Sequence, residues 1–364
     1  MLSAAPSRLL IVGNPDPVHV GSHLHHAATS LGLDARLCDS REAYAAPAWR
    51  QKTDWWVRGH RPSRLGEFSA RVLQMVRSFS PDVLITTGLA PVDAPTLKTI
   101  GDLGTARLNF LTDDPWNPAH RAPWFFEALK RYDRVFTPRR ATVGDLEAHG
   151  VPAVSALPFA YAPEQHYPEP PAAADASRWD ADVMIAGGAD RDRIEVVAPL
   201  IRAGFRVALY GGYWDRFRET REMARGQLDA SGLRQATAAA RVCLGLVRRA
   251  NRDGHCMRTY EVPAMGGCFL AEDTADHRAL FGRDGEAAVY FVRPADAVDK
   301  VAALMRRDDL RRDLARRAHA IVTAGGQTYA DRLQSMLSTL VPSDSPQLPP
   351  SLVERRRAGT SASR

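Results

Sequence analysis

The segment Asn251–Glu272, NRDGHCMRTYEVPAMGGCFLAE, gathers residue types suited to holding a phosphate ester and the sugar attached to it. An apolar strand, VCLGLV, runs into a polar loop, a helix is predicted from near His255 or Cys256, and Gly266-Gly267 ends it before another strand. Asp253 precedes that helix start, where a carboxylate can cap free backbone N–H groups. The helix start itself supplies N–H donors and a dipole suited to a diphosphate, and Arg258 can add a positive charge. Glu261, two turns on, can accept hydrogen bonds from ribose hydroxyls. The spacing is met equally well by a capped helix carrying a surface ion pair.

Further candidates lie on other loops. Arg191 and Arg193 follow Gly187-Gly188 at a predicted helix start, where a guanidinium can neutralise a leaving diphosphate as the bond to the sugar breaks. Solvent exposure is the ordinary alternative for an arginine at a helix start. Gly13 and Gly21 flank the loop after the first strand, where glycine lets the backbone approach a donor or acceptor. No G-x-G-x-x-G is present there, so a nicotinamide dinucleotide is not indicated. Asp113-Asp114 sit between an apolar strand and Pro115-Trp116, and Asp114 is the candidate base for an acceptor hydroxyl. Fixing the turn through backbone N–H groups is its competing role. His19, His23 and His26 raise a metal site by their spacing. His19 precedes the predicted helix, however, and no carboxylate or cysteine pattern completes a set, so no metal is expected. His19 is instead a candidate contact to the acceptor. Among Trp55, Trp56, Trp116, Trp124, Tyr210 and Trp214, the last, after YGGY, is the candidate to stack on a base, although aromatics near strands are more often core.

Arg258, Tyr260, Glu261, Ala264, Gly266 and Gly267 compose R-x-Y/F-E-x-x-A-x-G-G ahead of an apolar strand. In this the sequence resembles the CgeB-like glycosyltransferases, which are similar to retaining GT-B transferases carrying an E-x7-E motif. Asp253 stands where the larger family has its first Glu. The Asp113-Asp114-Pro115-Trp116 element, Leu157-Pro158, DVMIAGGADRDRIEVVAPL, HRALFGRDGEAAVYF and QTYADRLQSML extend the resemblance through most of the chain. It implies transfer of a hexose-like sugar, with retention, from a nucleotide-sugar donor to an unidentified glycan, small molecule or protein, without metal or other cofactor. The site expected on these grounds comprises Asp253, Asp114 and His19 for catalysis. Gly13, Arg193, Trp214, Arg258, Tyr260 and Glu261 are expected to bind the donor. A nucleotide-sugar epimerase on the same fold and a degenerate, non-catalytic nucleotide-binding protein are the alternatives.

The elements that must position these residues read as two similar halves. Arg8–Gly13, Asp34–Cys38, Asp82–Thr87, Arg107–Leu111 and Arg134–Thr137 are predicted strands of the first half. Asp182–Ala186, Phe205–Tyr210, Val242–Val247, Cys268–Glu272 and Ala287–Phe291 are those of the second. Helical stretches between them give repeated β-loop-α-β units, the opening of doubly wound parallel sheets. The expected fold class is α/β with GT-B architecture, two Rossmann-like domains facing across a cleft. Residues 1–160 are assigned to an N-terminal acceptor domain, 161–180 to a proline-rich linker, 181–340 to a C-terminal nucleotide-sugar domain, and 341–364 to a disordered tail.

Composition narrows the classes. With 364 residues, 45% hydrophobic and 25% charged, the chain is ordinary for a globular protein and long enough for two domains. No apolar run is long enough for an integral membrane segment, and the start does not read as a signal peptide. Four cysteines without a C-x-x-C pair fit a reducing cytoplasm. The net charge of +6 permits an anionic ligand, but with four lysines among 48 basic residues it does not point to nucleic acid.

Overall fold

A computed structural model describes residues 6–340; the predicted tail 341–364 lies outside the described residues. The strand pairs formed among the described residues are parallel, as suits short apolar runs covered on both faces. They form a six-stranded and a five-stranded sheet, and the chain divides into two units, one around each.

The first unit holds β1 (Arg8–Gly13), β2 (Asp34–Asp39), β3 (Val83–Thr87), β4 (Ala106–Phe110), β5 (Arg134–Thr137) and β6 (Val154–Ala156), in the order β2-β1-β3-β4-β5-β6. Between them run α1 (Val20–Ser30), α2 (Ala48–Val57), α3 (Leu65–Phe79), α4 (Ala94–Asp102), α5 (Pro123–Leu129) and α6 (Arg140–Ala148), which belongs to this unit from Val143 onward. Helix α3 illustrates why these segments are helical. Leu65, Phe68, Val72, Val76 and Phe79 recur every three or four residues and are buried on one face, and Ser80, in the left-handed region, stops the helix. That face joins Leu10, Val12, Leu84 and Phe125 in the unit's apolar core.

The second unit comprises Pro138–Thr142 and Leu157–Thr328. Its strands are β7 (Ala181–Ala186), β8 (Val207–Tyr210), β9 (Ala240–Gly245), β10 (Phe269–Glu272) and β11 (Val289–Phe291), in the order β11-β10-β9-β7-β8. Its helices are α7 (Ala176–Trp179), α8 (Arg191–Arg202), α9 (Ala230–Ala239), α10 (Arg258–Ala264), α11 (Ala275–Phe281), α12 (Pro294–Met305) and α13 (Asp308–Thr323). In both sheets the strand order reverses beside the first strand, between β1 and β3 and between β7 and β9. In open parallel sheets, ligands bind outside the carboxyl ends of the strands at such a point.

Two expected boundaries shift. The segment 161–180 is no free linker, because it folds onto the second unit. Tyr161 N–H donates to Gln327 O at 3.1 Å, Arg234 donates to Gln165 O at 3.0 Å and pairs with Glu169, and Trp179 is buried. The final helix, α14 (Tyr329–Ser338), lies in the range assigned to the C-terminal domain, with 328–340 expected to pack across or near the junction; it groups with the first unit. It packs on α1, where the His23 ring stacks on Tyr329 at 4.9 Å. Among the described residues no helix is long and apolar enough to cross a membrane.

Candidate functional site

The loops leaving the carboxyl ends of β7 and β8 are tied to one another by their own backbone. Gly187 N–H donates to Tyr210 O and Ala189 N–H to Gly212 O, each at 2.8 Å. Gly211, at φ +120°, passes so close that a Cβ there would stand 2.5 Å from Gly187 O, so no side chain fits. Trp214 is wholly buried, and its indole N–H donates to Gly187 O at 2.7 Å. It buttresses the glycine turn from below and cannot stack on a base, so the expected role of Trp214 is corrected to that of a core residue.

Arg193 lies in the first turn of α8, whose N-cap Asp190 accepts a hydrogen bond from the Arg193 backbone N–H at 2.9 Å. Its side chain is largely buried, 11% exposed. It donates to Gly188 O at 2.7 Å and to Leu246 O at 3.1 Å, joining the loop after β7 to the stretch after β9 across the switch point. Burial, reinforced by the nearby Arg248 cation, lowers its pKa. Arg258 approaches the same turn from α10 and donates from Nε to Ala186 O at 3.2 Å. Two guanidinium groups are thus anchored on the backbone of residues 186–188, with Arg248 3.7 Å from Asp190 beside them.

Glu261 is wholly buried and ion-pairs with Arg258, with His166 Nε2 3.7 Å away on its other oxygen. His166 Nδ1 accepts from Ala162 N–H at 2.9 Å, which leaves a neutral ring with its proton on Nε2, facing Glu261. Tyr260 is buried in the same helix and meets His255 ring edge to face at 5.7 Å. Tyr260 therefore packs the helix in place.

Helix α10 starts at Arg258, later than expected, because Cys256 N–H is held in the preceding turn by Thr259 Oγ1 at 3.1 Å. Its N-cap is Met257, with no side-chain cap bond. Asp253 is thus not the cap of this helix. Its carboxylate accepts from Arg248 N–H at 3.2 Å and lies 2.5 Å from the Arg139 guanidinium, with both side chains buried. His255 follows, with Nδ1 on Asp276 at 2.8 Å and Nε2 accepting from Phe159 N–H at 3.2 Å. That bond to His255 holds the Asp276 carboxyl below its ordinary pKa. Below α10, His277 Nδ1 donates to Glu272 O at 2.7 Å and Nε2 meets Thr259 Oγ1 at 2.9 Å, and burial lowers its pKa to about 4. The sequence reading missed Arg139, Arg248, His166 and the His255–Asp276 pair; only the arginine-rich loop after VCLGLV signalled Arg248.

The remaining expected residues belong to the first unit. A Cβ on Gly13 would stand 2.7 Å from Thr87 Oγ1 and 2.9 Å from Gly21 Cα. The two glycines thus let β1 pack against α1, and the close approach is between protein segments. Asp114 is buried, with its carboxylate accepting from Trp116 N–H at 2.9 Å and its carbonyl from His120 Nε2 at 2.9 Å. That geometry is the turn-fixing one. His19 occupies the N-cap position of α1 and is exposed, while His23 is buried and His26 exposed, so the three do not share one environment.

Residues 192–338 match a family model described as Glycosyl transferase-like. Sucrose-phosphate synthase from Thermosynechococcus elongatus is similar over 92% of this chain and 99% of that chain, with TM-score 0.63 at 13% identity. The fold is GT-B. Anabaena HepE in complex with UDP-glucose is similar over 92% of this chain and 99% of that one, with TM-score 0.61 at 12% identity. A candidate UDP-N-acetylglucosamine 2-epimerase from Listeria monocytogenes is similar over 94% and 99%, with TM-score 0.55 at 12% identity. No curated protein matches the chain by sequence. The loops after β7, β8 and β9 leave the carboxyl ends of the second sheet's strands, and Arg193 and Arg258 bond to backbone carbonyls there, with Asp253 in the loop after β9.

Proposed function

We propose that the chain is a glycosyltransferase of the CgeB-like type that moves a hexose from a UDP-sugar to an acceptor hydroxyl with retention. The observation that carries this reading is the pair of guanidinium groups, Arg193 and Arg258, anchored at the β7/β9 switch point. Preorganised cations there stabilise the charge that develops on a departing nucleoside diphosphate. Glu261, wholly buried and bound to Arg258, orients that guanidinium. Asp253, fixed by Arg139 and the Arg248 backbone, is the carboxylate nearest the sugar in the extended motif. The first unit presents the acceptor, with His19 as the exposed contact and Asp114 shaping the loop. Uridine is the favoured base because HepE holds UDP-glucose and the trehalose-phosphate synthase from Burkholderia xenovorans is UDP-forming.

The test is a calorimetric titration of the full chain with UDP and with uridine. UDP should bind at least about tenfold more tightly, since hydrogen bonds to charged groups contribute roughly 1.5–3 kcal/mol each. Equal affinities would sink the phosphate site. The likeness to the Listeria epimerase favours a second reading, epimerisation of the same donor. Incubating UDP-N-acetylglucosamine with no acceptor separates them: an epimerase alters the sugar alone, whereas a transferase leaves it intact or slowly hydrolyses it.

A further inference from the structure

Helix α2 faces the wrong way for a helix that serves its own core. None of its residues joins the apolar core of the first unit. Its one fully buried side chain is Asp54, held by Arg58 at 3.1 Å and Arg50 at 3.7 Å. Trp49, Trp56 and Val57, spaced seven and eight apart on one face, are instead 70%, 78% and 77% exposed. Leaving two indoles in water is costly for a surface that has no use for them.

The charges around this stripe say what it meets. Residues 44–64 carry Arg50, Lys52, Arg58, Arg61 and Arg64; Arg50 and Arg58 pair with Asp54 and Arg64 with Glu67, which leaves Lys52 and Arg61. Among the described residues neither Lys52 nor Arg61 forms an ion pair. Both line a cavity of about 200 Å³ beside the stripe, together with Tyr44, Gln51, Trp55 and Trp56. Tryptophan rings at the edge of an apolar stripe, flanked by uncompensated cations, suit the headgroup region of a bilayer, where indoles sit half-wet and cations meet phosphates.

We propose that α2 and the loop after it dock on an anionic phospholipid surface, with Trp49, Trp56 and Val57 entering the headgroup layer and Lys52 and Arg61 meeting lipid phosphates. Such docking is independent of the transfer chemistry, since these residues hold no part of the donor site.

The experiment is co-sedimentation of the full chain with vesicles of phosphatidylcholine alone and of phosphatidylcholine mixed with phosphatidylglycerol. Binding to the mixed vesicles, a blue shift of tryptophan emission and release by salt are expected. Trp49→Ser with Trp56→Ser should weaken binding roughly tenfold or more, and Lys52→Gln and Arg61→Gln about fivefold each. The melting temperature and the UDP affinity should stay unchanged, because all four side chains are outside the core. The proposal fails if neither vesicle binds, or if both bind equally. It fails equally if the tryptophan variant binds as the parent does, so that another segment carries the contact. A dimer in light scattering that the tryptophan variant abolishes, or a tryptophan shift caused by soluble oligosaccharide without vesicle binding, would replace the lipid by those partners.

Discussion

Arg139 and Asp253 lie 2.5 Å apart as an ion pair with both side chains buried, although the two come from distant parts of the sequence. The pair fixes the loop that carries Asp253, so the carboxylate has a structural duty besides any it has toward a sugar. A buried charge left without its partner is far costlier than the intact pair is stabilising.

Asp253→Ala should therefore destabilise the protein by about 3–5 kcal/mol, read as a shift of the urea midpoint. Arg139→Met combined with Asp253→Leu should recover most of that loss. A double variant as unstable as the single one would mean that the pair contributes through something other than charge compensation.

His277 sets a pH dependence. Its folded pKa is about 4, lowered by burial, against about 6.5 in the unfolded chain. Above pH 6.5 neither state takes up the proton and the contribution is fully present. As pH falls from about 6.5 to 4 the unfolded state is protonated first, so stability falls by up to about 3 kcal/mol. Burial raises the pKa of Glu272, which partly offsets this at the acid end of the window. His277→Gln, which can keep one donor and one acceptor, should flatten the slope between pH 6.5 and 4 in denaturant titrations. An unchanged slope would assign it to another group.

Gly13 and Gly21 make a contact that tolerates no Cβ on either side. Gly13→Ala is expected to lower the melting temperature of the first unit, costing roughly 1–3 kcal/mol as an overpacking change, while UDP affinity stays as in the parent. A selective loss of UDP affinity at unchanged stability would restore Gly13 to the donor site.

Much of the architecture was legible because its signals are local. DVMIAGG is an apolar run ended by glycines, and β7 occupies Ala181–Ala186. The three-residue β6, Val154–Ala156, has too few positions for a period to register. Trp214 was misjudged because a tryptophan after a glycine turn reads the same whether it faces solvent or the core; only the Gly187 carbonyl beneath it decides. The pairing of Arg139 with Asp253 and the return of α14 to the first unit are long-range facts, and no local pattern encodes them. Glu261 was found by its motif, but its complete burial against Arg258 was not foreseeable from spacing that also fits a surface pair.

That burial sharpens the last prediction. On the proposed reading Arg258 serves the donor either by direct contact with phosphate or by support through Glu261, and the two differ in which ligand suffers. Removing a phosphate contact costs UDP roughly 1.5–3 kcal/mol, or about ten- to a hundredfold, and leaves uridine untouched. Arg258→Ala alone is ambiguous, since it strands Glu261 as an uncompensated carboxylate with no exposed surface. Arg258→Gln with Glu261→Gln removes both charges together and keeps a hydrogen-bonding pair at similar volume. With direct contact, this double variant should melt close to the parent, bind uridine with at most a modest loss, and lose UDP by at least about tenfold more than uridine. Parallel losses for UDP and uridine, measured by calorimetry at the same pH, would make Arg258 a positioning residue for Glu261 and leave Arg193 as the sole guanidinium for the diphosphate.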